Sequence, residues 1–360
     1  MSADRCRHHG GRAPEGFIDF STPLNPLGAP DPLKKLLSES ISREIYSRYP
    51  DYEYRILRES IAEFYRLDYE GIIPLNGAAE AFYIAVLSLR PEYLIVFEPT
   101  FGDYRCLARA LNIPMISVPY IESGDRYVIS YEALENLKKI RNTRSLVLIS
   151  DPNNPTGAIL DNKVLEEVLE NLRDSVILLD EAFQDLCSEC EEGRGFKLAE
   201  RYENLVIVRS LTKIFSVPGL RIGFLYTSNR SLAELFDDIR SPWNVNSIAE
   251  NVFARFLREY SRDIRSFVEL SRDTIVREVE YVSESLRRLG VKIYRSSTPY
   301  ILVKHGRTTK EISDLLMRRR IVIRDASVYP YLTPYHARIS VRLRDENNIL
   351  ISAYEEVLRE

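Results

Sequence analysis

The chain has 360 residues, 45% of them hydrophobic, and a formal net charge of −4. That balance excludes a surface built for nucleic acid or anionic membrane, and the length exceeds one small domain. No apolar run reaches the ~20 residues that span a bilayer, and the N-terminus lacks the apolar core of a signal peptide. A soluble, cytoplasmic protein of two domains is expected. Gln occurs once and Met three times beside 28% charged residues, which fits a thermophilic source.

CRHHGG (6–11) opens the chain with a cysteine and two histidines in four residues. Extended backbone sends His8 and His9 to opposite sides, so they share an ion poorly and no metal site is expected. PLNGAAEAF (74–82) leads through Gly77 into a helical run, EAFYIAVLSL (80–89). Small residues at a helix entry leave backbone amides open to a phosphate. YLIVFE (93–98), SLVLIS (145–150), SVILLD (175–180) and NLVIVRS (204–210) are apolar without alternation, as strands buried on both faces of a parallel sheet are. Helical patterns separate them. YEALENLKKI (131–140) is one, and DNKVLEEVLENLRD (161–174) repeats Val164, Leu165, Val168 and Leu172 on one face.

This alternation predicts an α/β fold with a mostly parallel sheet covered by helices. After about residue 230 the pattern changes. The charged helical run SRDTIVREVEYVSESLRRLG (271–290) leads to short strands in KIYRSSTPYILVKH (292–305), RIVIRD (320–325) and HARISVR (336–342). The reading is an N-terminal arm over 1–30, a large domain over 31–230 and a smaller α+β domain over 231–360. Cys187 and Cys190 form a C-x-x-C with no second pair, and both are expected to be ordinary thiols.

Ligands of open α/β sheets sit beyond the carboxyl ends of the strands, so the loops that follow strands are searched for chemistry. RSLTKIFSVPGLRIGF (209–224) follows one buried strand and opens another. A lysine there, Lys213, can form a Schiff base, and Ser210 and Arg221 can hold a phosphate. Asp180 ends a run of four aliphatic residues, where a buried carboxylate needs a cationic partner such as a pyridinium, or caps a helix. LISDPNNPTG (148–157) follows a third strand and can present the Asn154 amide to a ring hydroxyl.

NNPTG, DEAF and SLTKIFSVPGLRIG, in that order and spacing, resemble the pyridoxal-phosphate enzymes of the aspartate-aminotransferase superfamily. The resemblance implies an aspartate-aminotransferase-like large domain and pyridoxal 5'-phosphate as cofactor. Lys213 then carries the cofactor and moves protons at the substrate α-carbon. Asp180 pairs with the ring nitrogen, Asn154 meets the ring O3′, and Phe101 of EPTFGDY stacks on the ring. Ser210, Arg221 and the amides of Ala78 and Ala79 hold the cofactor phosphate. Tyr49 reaches across a dimer interface toward the cofactor phosphate of the other subunit.

HHGG, DFSTPLNPLGAP (19–30), YSRYPDYEYRILRESIAEFY (46–65), SPWNVNSIAE (241–250) and RIVIRDASVYPYL (320–332) narrow the resemblance. They are similar to the threonine-phosphate decarboxylases of cobalamin synthesis, close relatives of the histidinol-phosphate aminotransferases. The likeness runs from His9 to about residue 350. It implies a homodimer with shared active sites that decarboxylates L-threonine O-3-phosphate to (R)-1-amino-2-propanol O-2-phosphate. Arg338, Arg324, His9, Gly10, Asn25 and Asn154 would grip that phosphorylated amino acid. The alternative is transfer of an amino group from histidinol phosphate or an aromatic amino acid. Phe183 stands where the aminotransferase pattern has a tyrosine, which moves the reading toward the decarboxylase. A cofactor-binding transcription regulator would need an added DNA-binding domain of ~60 residues, for which no segment is evident.

Overall fold

The computed structural model describes residues 9–140 and 143–360, so Cys6 and His8 of the opening stretch lie outside the described residues. Its centre is an eight-stranded sheet in the order Ile72–Leu75, Gly223–Tyr226, Leu205–Ser210, Val176–Asp180, Ser145–Ser150, Tyr93–Glu98, Met115–Ser123, Arg126–Ile129. Neighbouring strands from Leu205–Ser210 to Met115–Ser123 run parallel. In the central four strands of the sheet Val, Ile and Leu dominate both faces, and both faces are covered. Ile95, Val147, Ile177 and Ile207 join one apolar core, while Leu94, Leu146, Leu178 and Val206 join the other. Side chains alternate between faces along a strand, so a strand without polar alternation must be buried twice.

Parallel strands all end at one edge of the sheet. Gly223–Tyr226 runs against them and starts at that edge, while Ile72–Leu75, antiparallel to it, runs with them and ends there. Gly223 pairs with Ser210 at the end of Leu205–Ser210, and Leu75 pairs with Gly223. Arg221 therefore arrives just before its strand begins, and Gly77 to Ala79 just after theirs ends, both beside Lys213.

The second sheet is antiparallel, in the order Lys292–Ile293, Tyr300–Lys304, His336–Ser340, Arg324–Asp325. Arg324 and Arg338 are paired in register, so their side chains share one face. The N-terminal arm is stitched to this part of the chain, with Ile18–Asp19 parallel to Ile321–Val322. A helix over Ser261–Arg288 begins ten residues before the 271–290 run and packs its buried stripe, including Ile264, Ile275 and Val282, into the core.

One expectation is overturned. Cys187 and Cys190 are bonded to each other as a disulfide. The turn Gln184–Leu186 and the loop after it bring their Cα atoms to 5.4 Å, inside the range that a disulfide spans. Among the described residues no group of three or more His, Cys, Asp and Glu could hold a metal ion. Among them, too, no helix is long and apolar enough to cross a membrane.

Candidate active site

At the carboxyl edge of the large sheet lies a cavity of about 380 Å³. Its lining gathers Ala78, Ala79, Phe101, Asn154, Asp180, Ser210, Lys213 and Arg221 from loops far apart in sequence. His9, Gly10, Arg324 and Arg338 close it from the arm and the second sheet. Arginines from the large sheet's loops and from the second sheet thus line the cavity together with Lys213.

Each position follows from local structure. Lys213 lies in the short helix Leu211–Ile214, directly after the strand Leu205–Ser210. Its ammonium is pushed down to about 8, first by burial and then by the charges of Arg338 and Arg221, with Asp180 opposing. Asp180 ends the strand Val176–Asp180 and accepts a hydrogen bond from the Ala182 amide at 3.1 Å. Burial raises its pKa above the ordinary carboxylate value, against the hydrogen bonds it receives and the charge of Lys213.

Arg338 donates Nη1 to Asn154 Oδ1 at 2.6 Å and Nη2 to the Ser21 carbonyl at 2.5 Å. With its oxygen so engaged, the Asn154 amide turns its NH2 donors elsewhere. Arg338 Nε is buried and has no hydrogen-bond partner among the described residues. Arg324 lies over the Tyr329 ring, 5.6 Å from its centroid. His9 meets Asp103 Oδ1 at 3.0 Å and tilts toward Phe101, with ring centroids 5.7 Å apart. Gly10 is required where it is, since a Cβ there would sit 2.4 Å from the Ser21 carbonyl oxygen.

One expected residue lies elsewhere. Asn25 is buried and does not line the cavity. Its NH2 donates to the Ile214 carbonyl at 2.8 Å and to Ser271 Oγ at 2.7 Å, and its Oδ1 accepts from Leu27 N at 3.0 Å. With its donors spent, it fastens the arm under the Lys213 segment instead of reaching a ligand. Tyr49, expected to serve the other subunit, is 78% exposed and lies against Trp243 at a ring separation of 4.5 Å.

Asp103, which lines the cavity, and Tyr104, buried behind it against Asp180, are among the residues that the sequence did not reveal. Asp103 had only its place at a helix start as a signal. Tyr104, one of 22 tyrosines, had none, although it donates to Asp180 Oδ2 at 2.7 Å. Phe183 lines the cavity and packs edge-on against Tyr300 at 5.0 Å, and its ring offers no donor.

These residues fit pyridoxal phosphate. A partly buried amine with a depressed proton affinity stands near a buried carboxylate that, among the described residues, has no guanidinium or ammonium hydrogen-bonded to it. Gly77 holds φ at +78°, and a Cβ on it would lie 2.3 Å from Arg221 Nη2, so the phosphate end is open only to glycine. Lys213 would carry the aldehyde, Asp180 the ring nitrogen, and Ser210, Arg221 and the Ala78 and Ala79 segment the phosphate.

Comparison with known proteins agrees. Residues 16–353 match the family described as aminotransferase class I and II. A protein of Caldanaerobacter subterraneus subsp. tengcongensis with a provisional threonine-phosphate decarboxylase name is 30% identical over 341 residues, 92% of this chain and 89% of that one. The histidinol-phosphate aminotransferase of Pyrococcus furiosus is 32% identical over 342 residues, 93% of this chain and 91% of that one. The crystal structure of histidinol-phosphate aminotransferase from Clostridium acetobutylicum superposes with a TM-score of 0.83 at 25% identity, covering 94% of this chain and 98% of that one. The chain belongs to the class I and II aminotransferase family and is a pyridoxal-phosphate protein with the aspartate-aminotransferase-like fold.

Proposed function

We propose that this protein decarboxylates L-threonine O-3-phosphate to (R)-1-amino-2-propanol O-2-phosphate, a step of cobalamin synthesis. The observation that carries the reading is the second cationic group in the cavity. Beside Arg221, expected at the cofactor phosphate, Arg324 and Arg338 also line the cavity, together with His9. A substrate with both a carboxylate and a phosphate matches two guanidinium groups and a histidine. The relative from Caldanaerobacter supports the same choice.

When bound, pyridoxal phosphate supplies an electron sink for the pair left by a broken α-bond. The protein's own groups then have defined tasks. Arg338 holds the α-carboxylate and, bonded to Asn154 Oδ1, fixes the amide that would meet the cofactor ring oxygen. Arg324 and His9, with the open backbone at Gly10, hold the substrate phosphate. The arm, joined to the second sheet through Ile18–Asp19, shields the site from water. Lys213 delivers to the α-carbon the proton that replaces carbon dioxide. Phe183 leaves the ring oxygen with one fewer donor than a tyrosine would give it.

The second reading, amino transfer, is favoured by the likeness to the Pyrococcus histidinol-phosphate aminotransferase. Both readings use the same residues and differ in which α-bond breaks. We also read the protein as a homodimer with shared active sites, in which the exposed Tyr49 serves the other subunit's cofactor phosphate. The test is incubation of the holoenzyme with phosphothreonine. Release of carbon dioxide with one equivalent of aminopropanol phosphate is expected. Turnover of 2-oxoglutarate with histidinol phosphate, without carbon dioxide, would establish the alternative.

A further inference from the structure

Asp180 receives one side-chain hydroxyl among the described residues, and it comes from Tyr104. That residue sits in the helix Asp103–Ala110, is fully buried, and donates to Asp180 Oδ2 at 2.7 Å. Its ring is held edge-on by Phe82 at 4.6 Å and by Phe101 at 5.7 Å. Packing on two aromatic neighbours leaves the hydroxyl little freedom of direction. We propose that Tyr104 is a positioning residue for the cofactor: its hydroxyl keeps Asp180 ionised and aimed at the ring nitrogen without adding a charge of its own.

The neutrality matters. An arginine or lysine in this place would also hold the carboxylate, but it would compete with the pyridinium for the same negative charge. A phenol steadies the carboxylate and leaves that charge for the ring. Burial and the nearby Asp180 both raise the phenol's proton affinity, so it remains a donor. The titratable groups that feel Asp180 are Tyr104, Lys213, Glu181 and Tyr300. Glu181 is paired with Arg209 at 2.9 Å, and Tyr300 donates to the Asn153 carbonyl at 2.9 Å. Neither is bonded to Asp180. The proposal rests on the cofactor, not on the choice of substrate.

The test uses Y104F, which keeps the ring and removes only the hydroxyl. Apoprotein is titrated with pyridoxal phosphate by absorbance across pH, with no substrate present. The expected result is cofactor affinity about tenfold weaker at neutral pH, the size of one hydrogen bond to a buried charge. The acid limb of the affinity profile should also move to higher pH, because Asp180 without its donor takes a proton more easily. In a D180N background, Y104F should add no further loss. Unchanged affinity and acid limb in Y104F would overturn the proposal, as would an equal loss in the D180N background. Should Y104F fold poorly, 3-fluorotyrosine placed at 104 supplies a stronger donor in the same packing. The acid limb should then move to lower pH, and an unmoved limb would count against the role.

Discussion

Replacing Arg338 by glutamine removes one side chain from three relationships at once. Its Nη atoms hold Asn154 and the Ser21 carbonyl, and its buried Nε has no partner among the described residues. Losing two charge-assisted hydrogen bonds to a substrate carboxylate at ~1.5 kcal/mol each amounts to about 3 kcal/mol. At about 1.4 kcal/mol per factor of ten, kcat/KM should fall roughly 100-fold. After burial, the same charge does most to lower the proton affinity of Lys213. The Lys213 midpoint in R338Q should therefore move up from about 8. Carbon dioxide release from phosphothreonine, followed as kcat/KM, reads the first effect, and the pH profile of pyridoxal phosphate capture by apoprotein reads the second. An unchanged kcat/KM, or a loss of activity with the midpoint unmoved, would refute the assigned geometry.

Three further outcomes are expected. An amine titrating at about 8 is roughly 10% neutral at pH 7, against ~0.03% for one at the ordinary 10.5. The rate at which apoprotein captures pyridoxal phosphate, followed by stopped-flow absorbance, should rise about tenfold per pH unit below that point and level above it; a midpoint near 10.5 would contradict the burial of Lys213. N25A should lower stability by ~1–3 kcal/mol, seen as a reduced Tm, with KM unchanged, because the side chain is bonded to Ile214 and Ser271; a raised KM with normal Tm would return Asn25 to the substrate site. G77A places a Cβ against Arg221 Nη2 at a backbone of φ +78° and should weaken cofactor binding about tenfold or more, while spectroscopy shows a folded protein.

The central strands were legible because burial on two faces leaves a plain mark. The runs 93–98 and 145–150 are the strands Tyr93–Glu98 and Ser145–Ser150, and 80–89 is the helix Glu80–Leu89. Lys213, Asp180 and Asn154 were legible because each follows such a strand inside a specific motif. The order of strands was not. Only pairing through space shows that Gly223–Tyr226 runs antiparallel beside Leu205–Ser210 and so returns Arg221 to the cavity. Asn25 misled because a turn motif fixes the backbone and does not fix where its amide points. The pairing of Cys187 and Cys190 depends on a loop conformation that the two residue types do not encode. Tyr104 carries no local signal, since its role exists only through Asp180, 76 residues away.

The central claim is that a single amine, Lys213, holds the cofactor at the edge of the large sheet. Borohydride reduction of the holoenzyme, followed by peptide mapping, tests it most directly. The account predicts the reduced pyridoxyl mass on the peptide containing Lys213 and its absence from K213A. The same mass on another lysine, or an equal yield from K213A, would contradict it.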